Sequence, residues 1–178
     1  ARRADVPAGL RWLAEAGGRD DVVMLFIAGH GVNAGNGRYY FLPHDARHEA
    51  LAATAVAEDD IRQALRGVPG RAILFIDTCH AGNAFNARLV KDAADASIVV
   101  MAATDADTLA EERSNLGHGV FTYAMLQGLE GGADLIADGR VHTRELAAFV
   151  EAEVARLTAN KQKPEAYVSS LADFVVAK

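Results

Sequence analysis

An α/β sandwich is the fold class that the sequence predicts, on three observations. Three apolar runs of strand length, at residues 22–28, 72–76 and 97–103, are each followed by polar or reactive side chains. None of the three alternates, and runs that are apolar throughout fit strands buried on both faces, as in parallel sheets. Stretches with apolar residues at helical spacing lie before, between and after them, so strand and helix alternate along the chain. A mostly parallel central sheet with helices on both faces is expected, as one domain over residues 1–178.

Residues 5–16 place Val6, Leu10 and Leu13 at helical spacing beside Trp12, with Pro7 in the first turn and Gly17-Gly18 as a stop. The first apolar run follows Asp20-Asp21 and ends on Gly29-His30-Gly31. Residues 32–38, rich in Gly and Asn, predict a mobile loop. Tyr39-Tyr40-Phe41-Leu42-Pro43 then predicts a short strand or hairpin arm capped by His44-Asp45. A helix is expected over 57–65, opened by Glu58, Asp59 and Asp60, carried by Ile61 and Leu65, and closed by Gly67, Pro69 and Gly70.

The second apolar run leads into Asp77-Thr78-Cys79-His80. Small and polar residues without a period predict a flexible loop over 83–96, containing Arg88 and Lys91 and open to nicking. The third run opens onto a polar, acidic loop at 104–115. Helical spacing returns at 119–129 (Val120, Tyr123, Ala124, Leu126, Leu129) and at 143–157 (Leu146, Phe149, Val150, Val154), and 173–177 predicts a last short strand. Between those helices, residues 134–145 have the length of a calcium loop, with Asp134, Asp138, Gly139 and Glu145 at suitable places. Ile136 stands where that loop needs a side-chain oxygen, so an Asp-Gly turn followed by a helix N-terminus is the better account.

The 178 residues are 51% hydrophobic and 24% charged, enough to bury a substantial core. The net charge of -6 and the scattered basic residues point away from nucleic acid and from anionic membranes as partners. One cysteine cannot form an internal disulfide, and with neither a signal peptide nor a spanning apolar stretch the expected compartment is the cytoplasm. The chain opens on Ala1 directly into helix-like sequence, which fits a fragment or a processed subunit.

The chemistry gathers where strands end. A thiol becomes a strong nucleophile when an imidazole can take its proton and backbone N–H groups can receive the oxyanion formed on the attacked carbonyl. Cys79 and His30 each end an apolar run, and they meet across one crevice if the two strands are parallel neighbours. Gly31 lets the backbone approach a substrate, and its N–H with that of Cys79 would form the oxyanion hole. Two other readings compete. Cys79 as an inert buried thiol fits poorly with Asp77, Thr78 and His80 around it. Zinc held by His30, Asp77, Cys79 and His80 lacks a second cysteine, and adjacent Cys79 and His80 diverge on an extended backbone. No metal and no cofactor is therefore expected.

Phe-Ile-Ala-Gly-His-Gly around His30 and Phe-Ile-Asp-Thr-Cys-His-Ala-Gly around Cys79 resemble the two catalytic motifs of the caspase-like cysteine peptidases. The order agrees, as does the histidine about fifty residues upstream of the cysteine. The local motif departs from that of true caspases and is similar to that of metacaspases, paracaspases and their bacterial relatives. The likeness runs from the first residues to Phe174-Val-Val-Ala177. It implies a caspase-like three-layer sandwich and a cysteine endopeptidase with a Cys79–His30 dyad.

The resemblance also implies a substrate class. The residue two before the nucleophile lines the pocket for the side chain preceding the scissile bond, and Asp77 there favours Arg or Lys. Glu112 falls on the position of a second pocket acid, with Asp105 and Asp107 as lesser candidates. His80, His44 and His118 are expected to take no part in catalysis. A pocket for cations would make Arg88 and Lys91 candidate self-cleavage sites. The family's sheet begins with further strands that have no counterpart in this sequence, so the His30 strand would be left with a bare edge. An N-terminal segment or a second chain is expected to complete the sheet, beside a protein or peptide substrate. The competing class is a catalytically silent caspase-like scaffold for interactions.

Overall fold

The computed structural model describes residues 1–35, 37–78, 97–105, 110, 112–113, 117–169 and 172–178, with residues 112–113 as backbone. Its centre is a six-stranded sheet in the order β3-β2-β1-β4-β5-β9. The strands are β1 (Val22–Asn33), β2 (Tyr39–Leu42), β3 (Val56–Ala57), β4 (Arg71–Thr78), β5 (Ile98–Ala102) and β9 (Glu165–Val168). β1, β4 and β5 pair in parallel, β2 runs antiparallel to both β1 and β3, and β9 lies antiparallel to β5. The parallel trio coincides with the three apolar runs, and β4 and β5 are buried along almost their whole length.

Period-two alternation divides these strands between two cores. Ala72, Leu74 and Ile76 of β4 face a cluster with Leu10 and Leu13 of α1 (Val6–Ala16) and Ile61 and Leu65 of α3 (Glu58–Arg66). Ile73 and Phe75 face the other way, onto Phe121 and Ala124 of α4 (Val120–Gln127) and Leu146, Val150 and Val154 of α5 (Thr143–Thr158). Helices thus cover both faces, as the sequence predicts. Among the described residues no helix is long and apolar enough to cross a membrane.

Several elements depart from expectation. β1 does not stop at residue 28 but runs on through His30 to Asn33, because its last four residues find a new partner in β2. The expected mobile loop is accordingly a hairpin turn, closed by Ala34 N–H to the Arg38 carbonyl at 2.8 Å and Gly37 N–H to the Ala34 carbonyl at 2.9 Å. A short helix, α2 (Leu51–Thr54), and strand β3 occupy a stretch with no clear sequence pattern. The last strand, β10 (Val175–Ala177), pairs with β8 (Val141–His142) in a separate two-stranded ribbon rather than joining the main sheet.

The 134–145 segment closes on itself as a turn. Asp134 accepts from the Asp138 and Gly139 amides, while Glu145 accepts from the Leu135, Ile136 and His142 amides. Both carboxylates are thereby engaged by the backbone, which supports the turn over a calcium loop.

Candidate active site

β1 and β4 run side by side with Val22 opposite Arg71 and Gly29 opposite Thr78. His30 therefore lies one step beyond the last parallel pair, level with the end of β4, as expected for neighbouring parallel strands. Gly29 has a φ of 145°, a conformation that favours glycine, at the point where β1 leaves β4 and turns to β2. Cys79 follows Thr78 directly in sequence and lies outside the described residues, as do His80, Arg88, Lys91 and Asp107.

A cavity of about 530 Å³ opens at this edge, lined by Phe26, Ala28, His30, Asp77, Gly119 and Thr122 among others. Alternation accounts for the membership: Asp77 continues the Ile73 and Phe75 face of β4, and Ala28 stands opposite it in register. The Thr122 hydroxyl, in the first turn of α4, donates to Asp77 Oδ2. Gly119, the residue before that helix, approaches the same carboxylate so closely that a Cβ would sit 3.0 Å from Oδ2.

Thr78 points to the opposite layer. Its hydroxyl is 2.5 Å from the Tyr39 hydroxyl, and both residues are 1% exposed. Tyr39 also fills the space beneath Gly31, where any Cβ would overlap its ring. The glycine after His30 is thus required by packing against β2. From just beyond β5, Thr104 Oγ1 reaches toward the Thr78 carbonyl at 3.5 Å.

Glu112 enters through backbone pairing. The ribbon of β6 (Glu112–Arg113) and β7 (His118–Gly119) sets Glu112 opposite Gly119, next to the Asp77 carboxylate. Asp105 lies elsewhere, its amide donating to the Lys163 carbonyl at 2.7 Å near the start of β9. His118 lies on β7, and it lines the cavity with His30 and Asp77. His44 belongs to the turn after β2, where its amide donates to the Ala1 carbonyl at 3.1 Å. Thr122 has no signal in the sequence, since it reaches the site through tertiary packing, and nothing local marks Phe26 or His118 as lining this cavity. A second cavity of about 450 Å³ lies between α1 and α3, lined by Val6, Leu10 and Ala64 with Arg3 and Asp60. The latter two form an ion pair at 3.5 Å. It brings together no nucleophile and base.

The chain matches the family model of the caspase domain over residues 1–176. It belongs to the caspase domain family. Among solved structures, this caspase domain resembles a Geobacter sulfurreducens protein with a TM-score of 0.61 at 18% identity, over 100% of this chain and 80% of that one. At that identity the likeness is one of fold. No curated protein matches the chain.

Proposed function

We propose that this caspase domain is a cysteine endopeptidase that cleaves after Arg or Lys. Cys79 gives its thiol proton to His30, and the thiolate attacks the carbonyl carbon of the scissile peptide. The negative charge moves onto the carbonyl oxygen, which the Gly31 and Cys79 amides stabilise. Collapse of that adduct breaks the C–N bond, and His30 returns its proton to the departing amine. A water then gives a proton to His30 and adds to the thioester, and the acid leaves as the thiol is restored.

The β1–β4 register carries this reading. Gly29 stands opposite Thr78, His30 follows Gly29, and Cys79 follows Thr78 in sequence, which supports a proton transfer between the two. Asp77 supports the substrate class, because it puts a carboxylate in the cavity beside the apolar walls of Phe26 and Ala28. A cation on an aliphatic stem matches that lining. The backbone pairing of Glu112 with Gly119 supports its role as a second acid.

The sheet itself bears on partners. Among the described residues no strand pairs with the outer edge of residues 22–29, and Met24 and Phe26 on that strand are 44% and 42% exposed. An additional strand along this edge, from a preceding segment or a second chain, would satisfy its open hydrogen-bonding groups. A profile of reporter peptides ending in Arg, Lys or Asp tests the peptidase reading. Hydrolysis of the Arg and Lys reporters alone is expected. No hydrolysis of any reporter would favour a silent scaffold.

A further inference from the structure

Selectivity for a cation depends on where the pocket carboxylate points, and β4 alone does not fix that direction. Asp77 ends the apolar part of β4 with its side chain on the α4 face, half-buried at the cavity wall. The segment entering α4 meets its carboxylate directly. The Thr122 hydroxyl donates to Oδ2, and Gly119 leaves just enough room for that oxygen. Gly119 has φ -58° and ψ 149°, which any residue adopts, so its conformation does not call for glycine. Its lack of a side chain matters for space: a Cβ would stand 3.0 Å from Oδ2, closer than carbon and carboxylate oxygen settle comfortably.

We infer that Thr122 is a positioning residue for substrate selectivity, holding the Asp77 carboxylate in the orientation that receives a cationic side chain, with Gly119 providing the clearance. This rests on the reading of Asp77 as the pocket acid. One oxygen is committed to a hydroxyl forty-five residues away in sequence, and the carboxylate plane is therefore set before substrate arrives. A pre-oriented carboxylate loses less freedom on binding a guanidinium or ammonium group.

The experiment compares T122V, T122S, G119A and D77N with the wild-type chain on an Arg reporter. It also follows alkylation by iodoacetamide, which reports on Cys79 alone because the chain has one cysteine. T122V is nearly isosteric and removes only the donor. It should raise KM for the Arg reporter roughly tenfold, the scale of a charge-assisted hydrogen bond, with a smaller change in kcat and little change in alkylation rate. T122S should restore the wild-type KM, and G119A should raise KM through crowding instead. An unchanged KM in T122V alongside a raised KM in D77N overturns the inference and leaves the Asp77 reading standing. Slowed alkylation in T122V that T122S does not rescue also overturns it, since that pattern marks a general structural role. An unchanged KM in D77N removes the Asp77 reading and the inference with it.

Discussion

The Tyr39 hydroxyl lies 2.5 Å from the Thr78 hydroxyl in the buried layer beneath the site. One side chain from β2 thus supports the floor under Gly31 and grips the residue that precedes Cys79. Asp77, one residue earlier, is held from the other face by Thr122. The end of β4 that leads to Cys79 is therefore fixed from both layers of the sandwich.

Replacing Tyr39 by Phe leaves the buried Thr78 hydroxyl without this partner and should cost about 1–3 kcal/mol in urea unfolding. Replacing both residues, Tyr39→Phe with Thr78→Val, should recover much of that loss, because an apolar pair strands no polar group. A double variant as unstable as the sum of the singles would show that the two hydroxyls do not act on each other.

Cys79→Ala should reduce hydrolysis of an Arg reporter to the uncatalysed rate, and His30→Ala should lower kcat/KM by about 100- to 10,000-fold. Combining the two should be no worse than Cys79→Ala alone, since the base has no function without the thiol. Stopped assays on the purified variants provide the measurement. Undiminished cleavage by Cys79→Ala would exclude the proposed mechanism.

Self-processing gives a mass signature. If Arg88 or Lys91 is cut by the protein's own site, wild-type protein should yield fragments ending at those residues, while Cys79→Ala stays whole. Replacing Arg88 and Lys91 with Gln should keep the chain intact without removing activity on a small reporter. Intact mass spectrometry of the three proteins checks it.

Glu58 carries a pH prediction. Burial raises its carboxyl above the ordinary value of 4.5, against the Tyr39 amide that lowers it and with Asp59 adding to the rise. A carboxyl raised in the folded state favours folding while protonated. That contribution is complete below the ordinary glutamate range and is lost as pH rises through the folded value. Glu58→Gln, which stays neutral, should raise Tm by about 1–2 °C near pH 7, a modest figure because the group is only half-buried. The two proteins should converge at pH 4 or below in calorimetry.

The parallel trio was legible because residues 22–28, 72–76 and 97–103 are apolar without alternation, and that pattern depends little on context. The end of β1 was not: Gly29, His30, Gly31 and Asn33 carry no strand pattern, and only pairing with Tyr39–Leu42 makes them one. β9 is illegible for a similar reason, since Glu165-Ala-Tyr-Val is short, follows Pro164, and takes its place at the sheet edge by pairing with β5. At the site, His30 and Asp77 stand out in the chain because they interrupt or end apolar runs. Thr122 does not, being an ordinary threonine in a helix whose meaning comes from a partner on β4. Local sequence carries elements that satisfy themselves and says little about those completed at a distance.

The change of partner at Gly29 separates two duties within a single strand. Residues 22–29 are bonded to β4 and offer their other side outward, whereas His30 to Asn33 are bonded to β2. A strand arriving or leaving along the first half would act on hydrogen bonds that the imidazole's own residue does not share. A partner strand docking along residues 22–29 would therefore come and go without disturbing the pairing that carries His30.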